Sequence, residues 1–164
     1  MTVVPTAILP PRSTHMPIRR AALVALTERV AQSRMTVVSA PAGSGKTTAM
    51  LFWADELRAQ GRPVLWLAAR AGIESKRSFL QALKAAGIAA GMPWDALDSD
   101  AADESWLSAL ATMGSVKPVI IVDDAQFLAK PILEFLAQLS SSARDALTII
   151  IAARASLRAV PPSI

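Results

Sequence analysis

Four short apolar runs, each separated from the next by residues at helical spacing, constrain this chain more than any other feature. They are "MTVVSA" (Met35 to Ala40), "PVLWLAA" (Pro63 to Ala69), "PVIIVDD" (Pro118 to Asp124) and "LTIIIAAR" (Leu147 to Arg154). A strand with one wet face alternates apolar and polar residues; these runs are continuous, so both faces must be covered. Strands buried on both faces and joined by helices make a mostly parallel sheet between two helical layers, an α/β three-layer sandwich. The helices between them are legible too. Ile18, Ala22, Leu23, Leu26 and Val30 recur at helical spacing over Pro17 to Ser33, with Pro17 suited to a first turn. Thr47 to Ala59 is predicted helical, with Met50, Phe52, Trp53 and Leu57 as its bulk and Gly61 as its stop. Further helices are expected at Ser75–Ala86, Asp103–Met113 and Pro131–Ser140, and "GIAAGMPWDALDS" (Gly87 to Ser99) is expected to be a linker. The proline-rich residues 1–16 have no periodicity and predict a flexible arm ahead of a domain at 17–164.

Composition narrows the function. The 164 residues suffice for one domain with a real core. Apolar residues are 52% of the chain, giving a mean hydropathy of +0.38, yet no run approaches the roughly 20 residues of a spanning helix. Arg19–Arg20 and the apolar residues after them fall short of a twin-arginine leader, because the run breaks at Thr27–Glu28–Arg29 and no cleavage site follows. A cytoplasmic protein without membrane contact is expected. With no cysteine, disulfides and thiolate metal sites are excluded, and the single His15 argues against a histidine-based metal site. The net charge of +4 is unevenly spread: residues 1–34 carry five arginines against Glu28, whereas "DALDSDAADE" (Asp95 to Glu104) is acidic. No stripe of interleaved bases and aromatics appears, so direct DNA binding is not expected. Trp53, Trp66 and Trp106 sit at patterned positions and are expected in the core.

Chemistry enters at "SAPAGSGKTT" (Ser39 to Thr48). Ala40 stands where the G-x-x-x-x-G-K-[ST] phosphate loop has its first glycine; Gly45, Lys46 and Thr47 satisfy the rest. Phosphates are gripped mainly by the later backbone amides, here of Ala42, Gly43, Ser44, Gly45, Lys46, Thr47 and Thr48. Gly43 and Gly45 permit the positive φ that turns those amides inward. The loop opens into a helix N-terminus, which favours an anion. Lys46 would neutralise the β and γ oxygens and the Thr47 hydroxyl would ligate Mg²⁺, while Thr48 belongs to the first helical turn. The preceding β-branched strand and the following amphipathic helix raise the motif above a chance glycine-rich turn.

A second constellation is "VIIVDDAQ". An apolar strand ending in Asp123–Asp124 sets two carboxylates at the carboxyl edge of the sheet, where α/β ligands bind. Asp123 would hold the Mg²⁺ hydration shell. Asp124 would orient the attacking water, and its side chain, shorter than a glutamate's, predicts slow hydrolysis.

The segments "VSAPAGSGKTT", Trp53, "VLWLAA", "VDDAQFL" and "IIIAARASLRAVPP" together resemble the NTPase domain of STAND proteins, above all that of the MalT-type large LuxR regulators. The resemblance runs from Pro17 to the C-terminus. It implies an ASCE-type P-loop fold that binds ATP with Mg²⁺, and a γ-phosphate-sensing arginine at Arg154, where Ala153 replaces the usual serine. It also implies an entry arginine at Arg19 or Arg20. In that family a further strand, a helical subdomain, sensor repeats and a helix-turn-helix follow. With "RAVPPSI" as the last residues, the phosphate-loop strand is expected at a sheet edge that lacks its outer neighbour. The reading is an ATP-binding, slowly hydrolysing regulatory switch read by a protein partner or by those further domains. The alternatives are an AAA-type ATPase module, a small-molecule P-loop kinase, for which no lid arginine occurs in 125–130 or 95–104, and a non-binding scaffold. A GTPase is disfavoured, since no [NT]-K-x-D element occurs.

Overall fold

The computed structural model describes Pro10 and residues 21–69, 73–113, 115–143 and 145–154. The arm at 1–16, Pro10 apart, the expected helix start at Pro17 and both candidate entry arginines lie outside the described residues. Every apolar run forms a strand: β1 (Met35–Ser39), β2 (Val64–Ala68), β3 (Val119–Asp123) and β4 (Thr148–Ala153). They pair in parallel, in the order β1-β4-β3-β2. Successive side chains point to opposite faces, and two separate apolar clusters result.

On one face Trp66, Val119, Ile121, Ile150 and Ala152 meet Val30 of α1 (Ala21–Gln32) and Met50, Trp53 and Leu57 of α2 (Lys46–Ala59). On the other, Leu65, Leu67, Ile120, Val122, Ile149 and Ile151 meet α3 (Lys76–Ala89), α4 (Asp103–Ala111) and α5 (Lys130–Ser142). This is the three-layer α/β/α sandwich that the runs predict, with Trp53, Trp66 and Trp106 in its core. β1 lies at one end of the strand order and departs from the expected cover on both faces: none of its residues is buried, and Val37 is 42% exposed, because an end strand has a neighbour on one side only. Among the described residues, none of the helices is long and apolar enough to cross a membrane.

Arg62 ties the opposite, amino edge of the sheet together. Its Nε donates to the Lys117 carbonyl at 2.7 Å, Nη1 to the Ala31 carbonyl at 3.0 Å and Nη2 to Thr148 Oγ1 at 2.7 Å. One guanidinium thus joins the end of α1 to the approaches of β3 and β4. Burial lowers its pKa from the ordinary arginine value, although a guanidinium stays charged in proteins. Gly61, with φ of 80°, ends α2 as expected.

The expected linker at Gly87 is partly helix, because α3 continues to Ala89. The cause is packing. Gly87 leaves room for the Trp94 ring, which a Cβ would meet at 2.1 Å, and Trp94 stands edge-on to Trp106 at 5.9 Å. The acidic segment folds back over the same helix: Lys76 pairs with Asp103 at 2.6 Å, Arg77 with Asp100 at 2.9 Å, and Lys84 donates to the Asp95 carbonyl at 2.8 Å. In an open helix Gly→Ala stabilises by about 0.5–1 kcal/mol; here it drives a methyl into an indole. Gly87→Ala is expected to destabilise by about 1–3 kcal/mol in urea unfolding, as overpacked cores do. A more stable variant would show that Trp94 is not held against α3.

Candidate functional site

The site is built where β1, β4 and β3 end. β1 stops at Ser39, and the Ala40 amide donates to the Ala153 carbonyl of β4 at 3.3 Å, so the turn leaves the sheet beside Arg154. Gly43 and Gly45 have φ of 76° and 85°, and a Cβ at either would meet nothing within 4 Å. Glycine is therefore needed there for backbone conformation rather than for space. α2 begins at Lys46 behind Gly45, and no side chain caps it. Its first amides form the partial positive end that draws anions.

Lys46 folds back over the loop: its Nζ donates to the carbonyls of Ala40 and Pro41 at 2.5 and 2.6 Å and lies 3.4 Å from Ser44 Oγ. Ala40 therefore contributes a carbonyl, for which alanine serves as well as glycine. Ala42 and Ser44 are exposed on the turn, and Thr48 is exposed on the first turn of α2.

Asp123, the last residue of β3, stands across from α2. Thr47 Oγ1 donates to its Oδ2 at 2.9 Å, and the Asp124 amide donates to its Oδ1 at 2.8 Å. Asp124 takes a left-handed backbone, φ 55° and ψ 37°, which aspartate tolerates better than most residues. It caps a single 3₁₀ turn, Ala125–Phe127. Gln126 Nε2 donates to Asp124 Oδ1 at 2.8 Å, and Arg154 Nε lies 3.6 Å from the same oxygen. The Arg154 amide in turn donates to Gln126 Oε1 at 3.1 Å. The structure thus joins Thr47 to Asp123 and Arg154 to Asp124, and holds Lys46 on its own loop. Gln126 is the member that residue-by-residue reading of the sequence leaves out. Its only sequence signal is its place two residues beyond the paired aspartates.

A strand that ends in a glycine turn, a helix that opens with lysine and threonine, and a carboxylate on that threonine from two strands away define a P-loop nucleoside triphosphatase fold. The chain belongs to the AAA domain family, whose model matches residues 29–160. Among solved structures, the Walker-type ATPase of Pyrococcus abyssi aligns with a TM-score of 0.65 at 15% identity, over 87% of this chain and 46% of that one. A Drosophila ORC structure bound to DNA aligns at 0.59 and 13%, over 85% and 79% of the two chains. The replication initiator DnaA bound to AMPPCP and single-stranded DNA aligns at 0.51 and 13%, over 87% and 40%. At such identities these likenesses show the fold, and the chain spans less than half of the Pyrococcus and DnaA chains. A search of the curated proteins finds no match.

The Thr47–Asp123 bond joins α2 to β3 and satisfies a half-buried carboxylate. Thr47→Val keeps the shape but removes the donor, and is expected to cost about 1–3 kcal/mol in urea unfolding without nucleotide, whereas Thr47→Ser should stay near the parent. Equal stability of all three would remove this bond from the ground state.

Proposed function

We propose that this chain binds Mg·ATP through Ala42, Gly43, Ser44, Gly45, Lys46, Thr47 and Thr48, and works as a slowly hydrolysing nucleotide switch within an AAA-type module. The observation that carries the reading is the 2.9 Å approach of Thr47 Oγ1 to Asp123 Oδ2, which sets a neutral and an anionic oxygen side by side at the mouth of the phosphate loop. Mg²⁺ takes oxygen ligands and commonly arrives with substrate phosphates and its own water, using only one or two side chains of the protein. The pair fits that demand. Bound Mg²⁺ would supply charge neutralisation to the β and γ phosphate oxygens.

The chain's own residues do the rest. The amides of the loop and of the α2 N-terminus orient the phosphates. Lys46 exchanges two carbonyl partners for phosphate oxygens, a local swing of one flexible side chain. Asp124 orients a water in line with the γ-phosphate, with the short reach that favours slow turnover. Arg154, one residue past the Ala153 carbonyl that holds the loop, is the candidate γ-phosphate sensor. A DnaA structure with AMPPCP on the same fold supports nucleotide as the ligand.

The domain at 17–164 with its arm at 1–16 is read as part of a cytoplasmic regulator of the MalT-type LuxR kind, in which a protein partner or further domains respond to the bound nucleotide. The family match fits equally a second reading, an AAA-type ATPase module, for which vigorous turnover would be expected. Turnover separates the two.

Mg·ATP at 100 times Kd is expected to raise stability by about 2.7 kcal/mol. A thermal melt should show that shift in the parent and none in Lys46→Ala; no shift in the parent overturns nucleotide binding. Asp124→Asn should keep the melt shift and lose phosphate release, measured over single turnovers. An unchanged rate would take Asp124 out of its role.

A further inference from the structure

Gln126 connects two strand ends that the sheet itself does not. The β3–β4 ladder runs from Val119↔Thr148 to Val122↔Ile151, so Asp124 and Arg154 both lie beyond its last pair. Past that point the connection is made by side chains. The Gln126 amide donates to Asp124 Oδ1 at 2.8 Å and accepts from the Arg154 amide at 3.1 Å, while the Arg154 guanidinium reaches the same carboxylate oxygen at 3.6 Å. A carboxylate needs a donor and an amide N–H needs an acceptor, so one orientation of the glutamine serves both and a flipped amide serves neither. Asp124, Gln126 and Arg154 form a closed ring of contacts.

We propose that Gln126 is a positioning residue that couples the Asp124 carboxylate to the backbone at the point where the chain leaves β4. This rests on the ATP reading of Asp124 given above. Side-chain bonds to half-buried groups can change partners without disturbing a buried ladder. When Arg154 turns its guanidinium to another anion, Asp124 keeps the Gln126 donor and stays aimed. When Asp124 shifts with the nucleotide, Gln126 carries the shift to the Arg154 amide. The ring carries an event at a phosphate to the backbone amide of Arg154.

The test uses the full chain, with Gln126→Leu, which removes both bonds at similar volume, and Gln126→Glu, which keeps an acceptor for Arg154 but loses the donor to Asp124. Three quantities are measured: amide hydrogen exchange at Arg154 with and without Mg·ATP, Kd for Mg·ATP, and the single-turnover rate. In the parent, Arg154 should be protected and its exchange should respond to Mg·ATP. Gln126→Leu should speed that exchange by about tenfold, erase the response and slow turnover, with Kd within about twofold of the parent, as expected for loss of hydrogen bonds outside the phosphate loop. Gln126→Glu should keep the Arg154 protection and still lose turnover, which a purely structural glutamine would not do. Exchange, response and turnover like the parent's in Gln126→Leu overturn the proposal while leaving ATP binding intact. A parent whose exchange and melt ignore Mg·ATP overturns both the proposal and the ATP reading. Should Gln126→Leu fail to fold, the Gln126→Glu result decides alone: parental turnover overturns the coupling.

Discussion

The placement of β4 between β1 and β3 is the constraint on which the rest of the structure depends. It is the one strand that touches both the phosphate-loop strand and the aspartate strand, and all of its residues are buried. Ile149, Ile150 and Ile151 have no exposed surface, and burying side chains of that size stabilises by about 1.5–3 kcal/mol each. Their alternation fixes the register. A slip by one residue would send Ile150 into the α3–α5 face and Ile149 and Ile151 into the α1–α2 face. The same slip would move the Ala153 carbonyl off the Ala40 amide and carry Arg154 away from Asp124. Core packing far from the solvent thus decides where the loop begins and which carboxylate the arginine meets.

Given that placement, the polar groups of the site satisfy one another. Lys46 rests on carbonyls of its own loop, Asp123 on the Thr47 hydroxyl, and Asp124 on Gln126 and Arg154. A charge stripped of water with no partner would cost several kcal/mol. Paired as they are, these groups can be exchanged for phosphate oxygens one bond at a time. On the proposed reading, acquiring a nucleotide becomes a set of partner exchanges, the kind of step a two-state site can use.

Much of this was written in local sequence. The runs mark every strand within a residue or two: β2, β3 and β4 are buried along nearly their whole length, whereas β1, which carries Thr36 and Ser39, is legible from its β-branched residues rather than from burial on both faces. Gly43, Gly45, Lys46 and Thr47 were legible because their chemistry depends on neighbours in the chain. The end of α3 was not: helix continuation through Gly87 is decided by Trp94, whose ring fills the space that a side chain would take. The pairing of Lys76 and Arg77 with Asp103 and Asp100 was equally hidden, because a run of acids gives no hint of which helix it will lie against. Gln126 was hidden for the same reason in sharper form. One partner is two residues away, and the other arrives from a strand 28 positions later.

These contrasts mark where the molecule is fixed and where it can move. Below the last ladder pairs, the sheet is held by backbone hydrogen bonds, by apolar contact on both faces and by the Arg62 guanidinium at the amino edge. Beyond them, Asp124, Gln126 and Arg154 are tied across elements chiefly through side chains, and Asp124 carries a left-handed backbone; Asp123, still paired with Ala68 in the β2–β3 ladder, reaches α2 through its side chain. Unusual conformations of this kind persist only where the surroundings hold them, and they gather at functional sites. A rigid base under a crown of side-chain bonds leaves the strand ends as the place where partners can be exchanged. The contacts from Asp124 through Gln126 to Arg154 can break and re-form without repacking the core, because the sheet beneath them is held by its own ladder.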